Sequence, residues 1–299
     1  MSQLRRTFFY PFGNNEILFG MYSTFRIMNN SSVCYFNGDF LKYENLHIHV
    51  SDLLFQRGYG VFDFFRCRNG SLFWMDDYLD RFIRSKEISG IELSMDRKEI
   101  VSVIHRLQEK NGLANGAFKL ILTGGVSDNL ESSTGPANFI ILNLDWKRPM
   151  QEFFENGVNL ISERFERPNP EAKTLYYFNS MRLQKKMKEF AAADVMYYNS
   201  LLFEGSRANL FFVKGGRVST PASGILHGIT RKQILAMVPE IHVEDIPADG
   251  RYDYDEIFLA STTREITPVV KLDGKLIGNG SRGPVTRDIQ SLLWNSWNK

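Results

Sequence analysis

A helix start near residue 228 has the residue types that best suit an anion. Gly228, Ile229 and Thr230 open a segment with helical spacing. A helix N-terminus turns free backbone N–H groups and a positive dipole toward an anion, although an ordinary capped helix is the alternative interpretation. Glu204 follows an apolar run at 201–203, so we expect it in or beside a buried strand, where a carboxylate needs a partner. The sequence therefore indicates a local anion site and a buried carboxylate.

Signatures of other common chemistries are missing from the sequence. It contains no G-x-x-x-x-G-K-[ST] phosphate loop, no G-x-S-x-G nucleophile turn, no H-E-x-x-H zinc motif and no strand followed by G-x-G-x-x-G. The RGYG tetrapeptide at 57–60 lies between segments that we interpret as β-type, which disfavours dinucleotide binding. His47 and His49 alternate along an expected strand without a visible third ligand. We therefore expect no metal site.

Seven motifs occur in a fixed order along the rest of the chain. They are RGYGVFDFF, DYLDRF, EAKTLYYFNSM, FEGSRANLFFV, ILHGITRKQIL, STTREITPVV and GPVTRDIQ. In this order and spacing they resemble the fold-type-IV pyridoxal-phosphate enzymes, a family of branched-chain aminotransferases, D-amino acid transaminases and 4-amino-4-deoxychorismate lyase. The resemblance extends from about residue 33 to the C-terminus. It implies pyridoxal 5′-phosphate as the cofactor, bound in a cleft between two domains.

The resemblance assigns the central chemistry to two residues. Lys173, in EAKTL, corresponds to the lysine that bonds to the cofactor's aldehyde and moves the substrate's Cα proton, which requires a neutral amine. Glu204 corresponds to the carboxylate that pairs with the cofactor's pyridine nitrogen and keeps it protonated. The alternatives are a solvated surface lysine and a glutamate in a surface ion pair.

The remaining cofactor contacts are also implied by the resemblance. Arg81, in DYLDRF, corresponds to the phosphate arginine, whose fork geometry suits phosphate oxygens, with a surface salt bridge as the alternative. Thr263 corresponds to a hydroxyl that reaches the phosphate or borders the substrate carboxylate, with simple capping as the alternative. The other expected cofactor residues are Tyr177, Ser206, Arg207, Asn209, Gly228, Ile229 and Thr230.

The substrate side departs from the family patterns. Asp63 stands where many relatives have glutamate, Tyr78 where others have histidine, and Lys119 where many have arginine. No arginine follows in the next loop, so a familiar anchor for a D-amino acid carboxylate is absent. We expect Arg57 to bind the substrate carboxylate, with a salt bridge to Asp52 or Asp63 as the alternative. The expected substrate residues are Arg57, Tyr59, Phe62, Lys119, Thr262 and Thr263.

The motifs point to two branches of the family. The closing segments ITPVVKLDGKLIGNG and GPVTRDIQ resemble branched-chain transaminases, whereas RGYG and the preceding LHIHVSDL resemble D-amino acid transaminases. We expect transamination between an amino acid, branched-chain L or D, and a 2-oxo acid. The alternative reaction is that of 4-amino-4-deoxychorismate lyase, which eliminates pyruvate. The resemblance also implies a homodimer in which the small domain of one subunit closes over the other's cofactor, so that Arg57 acts across the interface.

Turn and periodicity signals indicate which elements position these residues. Asn37-Gly38 and Asn69-Gly70 predict two β-hairpins. Helical spacing then predicts one helix around residues 79–88 and another at 100–107 that closes at Asn111-Gly112, followed by the strands FKLILTGG and ANFIILNLDW. In the second half we expect a helix from about Met181 to Ala193 and a helix that opens at Gly228.

Length and composition limit the organisation and the partners. A chain of 299 residues with 43% hydrophobic and 23% charged residues fits two ordinary globular domains. A net charge of +2 excludes a general attraction to nucleic acid or anionic lipid. Two cysteines without a pairing pattern, no signal-peptide pattern and no apolar run of membrane-spanning length predict a cytoplasmic protein with no membrane partner.

Pro149, in WKRPM, marks the expected boundary between domains. The predicted architecture is an N-terminal extension at 1–32, a small α/β domain at 33–148 and a larger cofactor-binding domain at 149–299. The small domain is a β-sheet with helices, of α+β type, and the larger one has a β-barrel-like sheet. The cofactor is expected in the interdomain cleft.

Overall fold

The first sheet is antiparallel and belongs to the N-terminal half of the chain. A computed structural model describes residues 25–27 and 32–297. The strands of this sheet are β1 (Phe25–Ile27), β2 (Val33–Phe36), β3 (Asp39–Lys42), β4 (Gly60–Arg68), β5 (Ser71–Leu72), β6 (Gly116–Thr123) and β7 (Phe139–Trp146). Their order is β3-β2-β7-β6-β4-β5, and β1 pairs with β7. Residues 25–27 of the expected extension therefore belong to the sheet, and residues 1–24 lie outside the described part.

The two predicted hairpins are present. Asn37 and Gly38 join β2 to β3 with φ angles of 48° and 110°, and Asn69 and Gly70 join β4 to β5 with φ angles of 50° and 79°. Asparagine and glycine tolerate positive φ better than other residues, which is why these dipeptides predict the turns.

Two long helices cover one face of the first sheet. They are α2 (Met75–Ser89) and α3 (Arg97–Asn111), and their buried residues Leu79, Phe82 and Ile104 share one core with the sheet. The start of α3 has a capping box between Asp96 and Glu99, and its end is Gly112, at φ 57°. Both helices confirm the predictions from apolar spacing.

The segment before RGYG corrects a prediction, because it is helical and not a strand. Helix α1 (Leu53–Arg57) starts at Asp52, whose side chain accepts a hydrogen bond from the Leu54 N–H at 2.7 Å. The helix ends at Gly58, at φ 65°. The N-cap Asp52 and the C-cap Gly58 enclose the five residues of this helix, so the segment directly before RGYG is not β-type. Residues 46–49, where His47 and His49 alternate, form no strand either.

The second sheet is mixed and belongs to the C-terminal half. Its strands are β8 (Val158–Arg164), β9 (Ala192–Tyr198), β10 (Leu201–Gly205), β11 (Asn209–Lys214), β12 (Arg217–Pro221), β13 (His242–Glu244), β14 (Ile246–Pro247), β15 (Glu256–Ser261), β16 (Glu265–Leu272) and β17 (Lys275–Leu276). Their order is β13-β12-β11-β15-β16-β8-β9-β10-β14, with β17 on β16. Strands β10 and β14 also lie against β12, so the sheet curves back on itself, as the expected barrel-like sheet requires.

The helices of the second half are α4 (Gln151–Asn156), α5 (Phe178–Arg182), α6 (Gln184–Glu189), α7 (Ile229–Met237) and α8 (Pro284–Ser296). The predicted helix over residues 181–193 is wrong in extent. It is broken at Leu183, and Ala191 adopts a φ of 47° before Ala192 enters β9. Ala192 and Ala193 are buried in that strand, so tertiary packing overrides their preference for helix. Among the described residues, no helix combines the length and apolar character that crossing a membrane requires.

Candidate active site

A cavity of about 390 Å³ lies between the two sheets and is lined by residues of both halves. Most of the residues predicted from the sequence line it. They are Phe62, Arg81, Lys119, Lys173, Tyr177, Glu204, Ser206, Arg207, Asn209, Gly228, Ile229, Thr230, Thr262 and Thr263. The fold thus collects residues from β4, α2, β6, the loop before α5, β10, β11, α7 and the β15–β16 turn around one space.

Lys173 is held against β4 by its backbone. Its carbonyl accepts from the Phe62 N–H at 2.9 Å, and its own N–H donates to Ser85 Oγ at 3.0 Å. The side-chain Nζ lies 4.8 Å from the centre of the Phe62 ring, inside the cavity. Removal from water, together with the nearby Arg81 guanidinium, lowers the pKa of Lys173 to about 7. A large fraction of this amine is therefore neutral, as a nucleophile requires.

Glu204 is buried near the end of β10, as the apolar run before it predicts. Its Oε1 accepts from Arg167 Nε at 2.7 Å, and its Oε2 accepts from the Leu226 N–H at 3.0 Å. Burial raises the pKa of Glu204, and Arg167 opposes that rise. Sequence reasoning missed Arg167, since nothing in FERPNPEAK separates this arginine from a solvated one. A loop of the second domain brings it into the cavity.

The start of α7 faces the cavity and depends on a glycine. A Cβ atom on Gly228 would lie 1.9 Å from Asn209 Oδ1, so no larger residue fits there without movement. Asn209 in turn donates from Nδ2 to the Leu226 carbonyl at 2.8 Å. The Thr230 hydroxyl is buried and has no hydrogen-bond partner among the described residues. Free helical N–H groups and an unpaired hydroxyl form a site that suits an anion.

Arg81 is buried in a bidentate ion pair. Its Nε and Nη2 donate to the two carboxylate oxygens of Asp63 at 2.9 and 2.6 Å. The guanidinium also lies 5.3 Å from the centre of the Tyr78 ring, and the Tyr78 hydroxyl bonds to Thr262 Oγ1 at 2.7 Å. Asp63 and Tyr78, at which this sequence departs from its relatives, thus both contact Arg81, Asp63 through the ion pair and Tyr78 through the face of its ring.

The family model for amino-transferase class IV matches residues 60–272, which is more than half of the chain. The chain belongs to this family. Like its members it is a pyridoxal-phosphate enzyme that transfers an amino group between an amino acid and a 2-oxo acid. The relatives described next are aminotransferases, and none supports the lyase reaction.

D-alanine and branched-chain aminotransferases are similar to this chain over most of its length. The D-alanine aminotransferase of Bacillus licheniformis is 30% identical over 272 residues, which are 87% of this chain and 95% of the relative. That of Staphylococcus aureus strain N315 is 28% identical over 267 residues, which are 86% and 94%. The branched-chain amino acid aminotransferase of Escherichia coli superimposes with a TM-score of 0.81 at 26% identity and covers 89% of this chain and 94% of its own. The two-domain fold expected from the sequence is thereby confirmed.

The remaining polar residues of this class IV site differ in exposure. Tyr177 packs against Phe62 with ring centres 5.9 Å apart, and burial raises its pKa to about 12, so its hydroxyl stays protonated. Ser206 Oγ donates to the buried carboxylate of Asp194, which forms an ion pair with Arg264. Arg207 is exposed at the edge of the cavity.

Arg57 and Tyr59 do not line the cavity of their own chain. Arg57 is exposed at the end of α1, and its Nη1 donates to the Gln56 carbonyl at 3.1 Å. The Tyr59 hydroxyl donates to the Ser89 carbonyl at 2.5 Å. Neither salt bridge considered for Arg57 forms, because Asp52 accepts from the side chains of Thr123 and Asn138 and Asp63 binds Arg81.

An apolar wall of the cavity was not predicted. It consists of Phe64, Leu142, Leu144 and Ala260. Alternation along β4 and β7 indicates that Phe64, Leu142 and Leu144 share a face with Phe62, but both faces of the first sheet are apolar, and Ala260 comes from β15 of the second sheet. The sequence alone therefore does not show which face meets the second domain.

Proposed function

We propose that the cavity holds pyridoxal 5′-phosphate between Lys173, Glu204 and the start of α7. The observation that carries this proposal is the unpaired Thr230 hydroxyl at a helix N-terminus, in the same cavity as a lysine with a pKa of about 7. The α7 N–H groups, Thr230 and Thr263 would hold the phosphate, with Arg81 adding positive charge. When bound, the cofactor supplies an aldehyde that exchanges for the amino group and a ring that accepts electrons.

The roles of the chain's own residues follow from their positions. Lys173 Nζ would form the covalent bond to the cofactor. Once displaced by the substrate's amino group, the free amine would move a proton from the substrate's Cα to the cofactor, and in the opposite half-reaction from the cofactor to the Cα of the new amino acid. Glu204 would provide the negative charge opposite the pyridine nitrogen, and the Arg167 guanidinium favours the ionised carboxylate against burial, which raises the pKa of Glu204. The Tyr177 hydroxyl stays protonated and available as a hydrogen-bond donor beside Lys173.

Lys119 and Arg207 are our candidates for the substrate carboxylate. Arg81 and Arg167 are each occupied by a buried carboxylate, whereas no carboxylate of the described chain lies within ion-pair distance of Lys119 or Arg207. Lys119 lies 5.0 Å from the Phe62 ring centre, and burial lowers its pKa. An incoming carboxylate would stabilise its charged form.

We propose D-amino acids as the preferred donors. This proposal follows from the similarity to D-alanine aminotransferases, which are 28–30% identical to this chain. Branched-chain L-amino acids are the second candidate, because the apolar wall of Phe64, Leu142 and Leu144 suits a branched side chain and the Escherichia coli structure is similar in fold.

A homodimer is part of this proposal. Three large apolar side chains near the loop of Lys173 and the end of α1 are solvent-exposed, namely Phe55 at 63%, Phe178 at 65% and Met181 at 64%. Exposed apolar side chains of this size are costly in water and suit a subunit interface. In the dimer Arg57 would reach the partner's cavity.

We also place the enzyme in the cytoplasm, since its Cys34 and Cys67 are buried free thiols.

The substrate preference is tested with a panel of single amino acids added to the holoenzyme. The absorbance of the aldehyde form of the cofactor is expected to convert to that of the amine form faster with D-alanine and D-leucine than with L-alanine and L-leucine. Faster conversion by L-leucine would establish the second candidate instead. If no amino acid converts the cofactor, transamination by this site is refuted.

A further inference from the structure

A second cavity, of about 470 Å³, lies farther along β4 from the active site. Phe62 and Phe64 line the active cavity, whereas Arg66 and Arg68, on the same face of β4, line the second one. The two cavities share no lining residue. Phe64 and Leu144, which line the active cavity, form one apolar cluster with Ala117, and Trp146 of the second cavity packs against that cluster. The second cavity is thus a chamber of its own.

The walls of this chamber are unusually aromatic. Three of the four tryptophans of the chain line it, namely Trp146, Trp294 and Trp297. The Arg66 guanidinium lies between two of them, 4.7 Å from the centre of the Trp146 ring and 4.3 Å from that of Trp297. Indole rings offer flat apolar surfaces on which another ring can stack.

The charge of the chamber is positive. Its one acidic side chain, Glu265, is buried and already accepts from Arg66 at 2.9 Å, from Arg148 at 2.7 Å and from Trp294 Nε1 at 2.8 Å. Arg68 is exposed and has no ion pair in the part of the chain that the structure describes. Three arginines against one glutamate leave a surplus of positive charge.

Two hydrogen-bond donors at this chamber also lack acceptors. The indole nitrogens of Trp146 and Trp297 are buried without a partner among residues 25–27 and 32–297. Buried N–H groups in proteins normally donate a hydrogen bond, so we expect these two to donate to an acceptor atom of a ligand.

We infer that the chamber binds an aromatic carboxylate, at a site separate from the active site. The ring of such a ligand would lie against the indoles, and its carboxylate would bind Arg68. The volume fits a molecule of one or two rings, within the range of about 300–1,000 Å³ that is typical of small-molecule pockets. The reaction at Lys173 uses none of these residues.

The test is calorimetric titration of the holoenzyme with 2-naphthoate, with tryptophan fluorescence as a second signal. We expect saturable binding of one naphthoate per chain and a change in tryptophan emission. Acetate has the charge without the rings and 2-naphthol has the rings without the charge, so each should bind at least tenfold more weakly. Equal binding of 2-naphthol, or no saturable binding of naphthoate, would overturn the inference.

Matched variants locate the bound naphthoate. Arg68→Gln and Trp297→Leu should each weaken its binding at least fivefold. Arg287→Gln, which removes an exposed arginine of α8 away from both cavities, and Arg207→Gln, at the active cavity, should change it less than twofold. Because Arg68 is exposed, its variant is expected to fold even if Trp297→Leu does not. Loss of binding in Arg207→Gln with retention in Arg68→Gln would place naphthoate in the active cavity and refute the inference.

Discussion

Two lysine amines lie beside the ring of Phe62, and they are not equivalent. Lys173 Nζ is 4.8 Å and Lys119 Nζ is 5.0 Å from the ring centre, and burial lowers the pKa of both. The backbone of Lys173 is fixed by Phe62 and Ser85, and its amine is influenced by Arg81, Asp63, Arg167 and Glu204. Lys119 has no such charged surroundings. This difference favours Lys173 as the nucleophile and leaves Lys119 for a carboxylate.

Arg167 connects the two ends of the site. Besides its ion pair with Glu204, it donates to the carbonyls of Pro170 and Ala172, directly before Lys173. Its positive charge also lowers the pKa of Lys173. One side chain thus favours the ionised form of Glu204 and also contacts the loop that carries Lys173.

Removal of this charge should change the pH dependence of the lysine. Capture of pyridoxal phosphate by the apoenzyme requires the neutral amine, so its rate should rise with pH around a midpoint near 7. In Arg167→Met the ammonium form loses a repelling charge, so the midpoint should move to higher pH. The variant should also lose about 3–5 kcal/mol of unfolding free energy, because Glu204 is left buried without its cation.

Arg167→Lys is the matched control, since it keeps the charge and loses the contacts with the loop carbonyls. Its midpoint should stay close to that of the unmodified enzyme. The midpoint is measured by absorbance at a series of pH values. An unchanged midpoint in Arg167→Met would contradict this role of Arg167.

The start of α7 is the element that we propose to bind the phosphate of the cofactor. Gly228→Ala introduces a Cβ at 1.9 Å from Asn209 Oδ1, so Asn209 must move and its hydrogen bond to Leu226 is lost. We expect the affinity for pyridoxal phosphate to fall at least tenfold, by about 1.4 kcal/mol or more, in equilibrium dialysis. Gly250→Ala is the control, because the nearest atom to its Cβ is 3.7 Å away. Equal affinity of both variants would show that this turn does not position the phosphate site.

Local chemistry explains which elements were predictable. The Asn37-Gly38 and Asn69-Gly70 turns and the end of α3 at Gly112 depend on φ angles that few residues adopt, so the sequence indicates them directly. The order of the motifs likewise predicts the roles of Lys173 and Glu204, and both residues line the cavity. In contrast, the end of α6 is decided by burial of Ala192 in β9, which only the assembled sheet imposes. Arg167 was missed for the same reason, since its partner Glu204 lies 37 residues away.

Of the residues predicted for the site, Arg57 and Tyr59 do not line the cavity of their own chain. That arginine is exposed and lies on the short helix that also carries the exposed Phe55. The role that we propose for Arg57 in substrate binding therefore requires a second subunit. A dimer with shared active sites predicts complementation between two defective subunits.

Mixing of Arg57→Ala and Lys173→Ala subunits tests this arrangement. If Arg57 acts in the partner's cavity, each mixed dimer has one intact site, and about a quarter of the full activity should appear after random reassociation. The two variants alone should stay weakly active or inactive. Without restoration on mixing, Arg57 either acts within its own chain or has no role in substrate binding.

The central claim is that Lys173 carries the cofactor, and borohydride reduction of the holoenzyme tests it most directly. Reduction fixes pyridoxal phosphate permanently to the amine that holds it, and peptide mass spectrometry then identifies the modified residue. We expect the added mass on the peptide that contains Lys173, and we expect no modified peptide after reduction of Lys173→Ala. Modification of Lys119 or of any other lysine in the unmodified enzyme would contradict it.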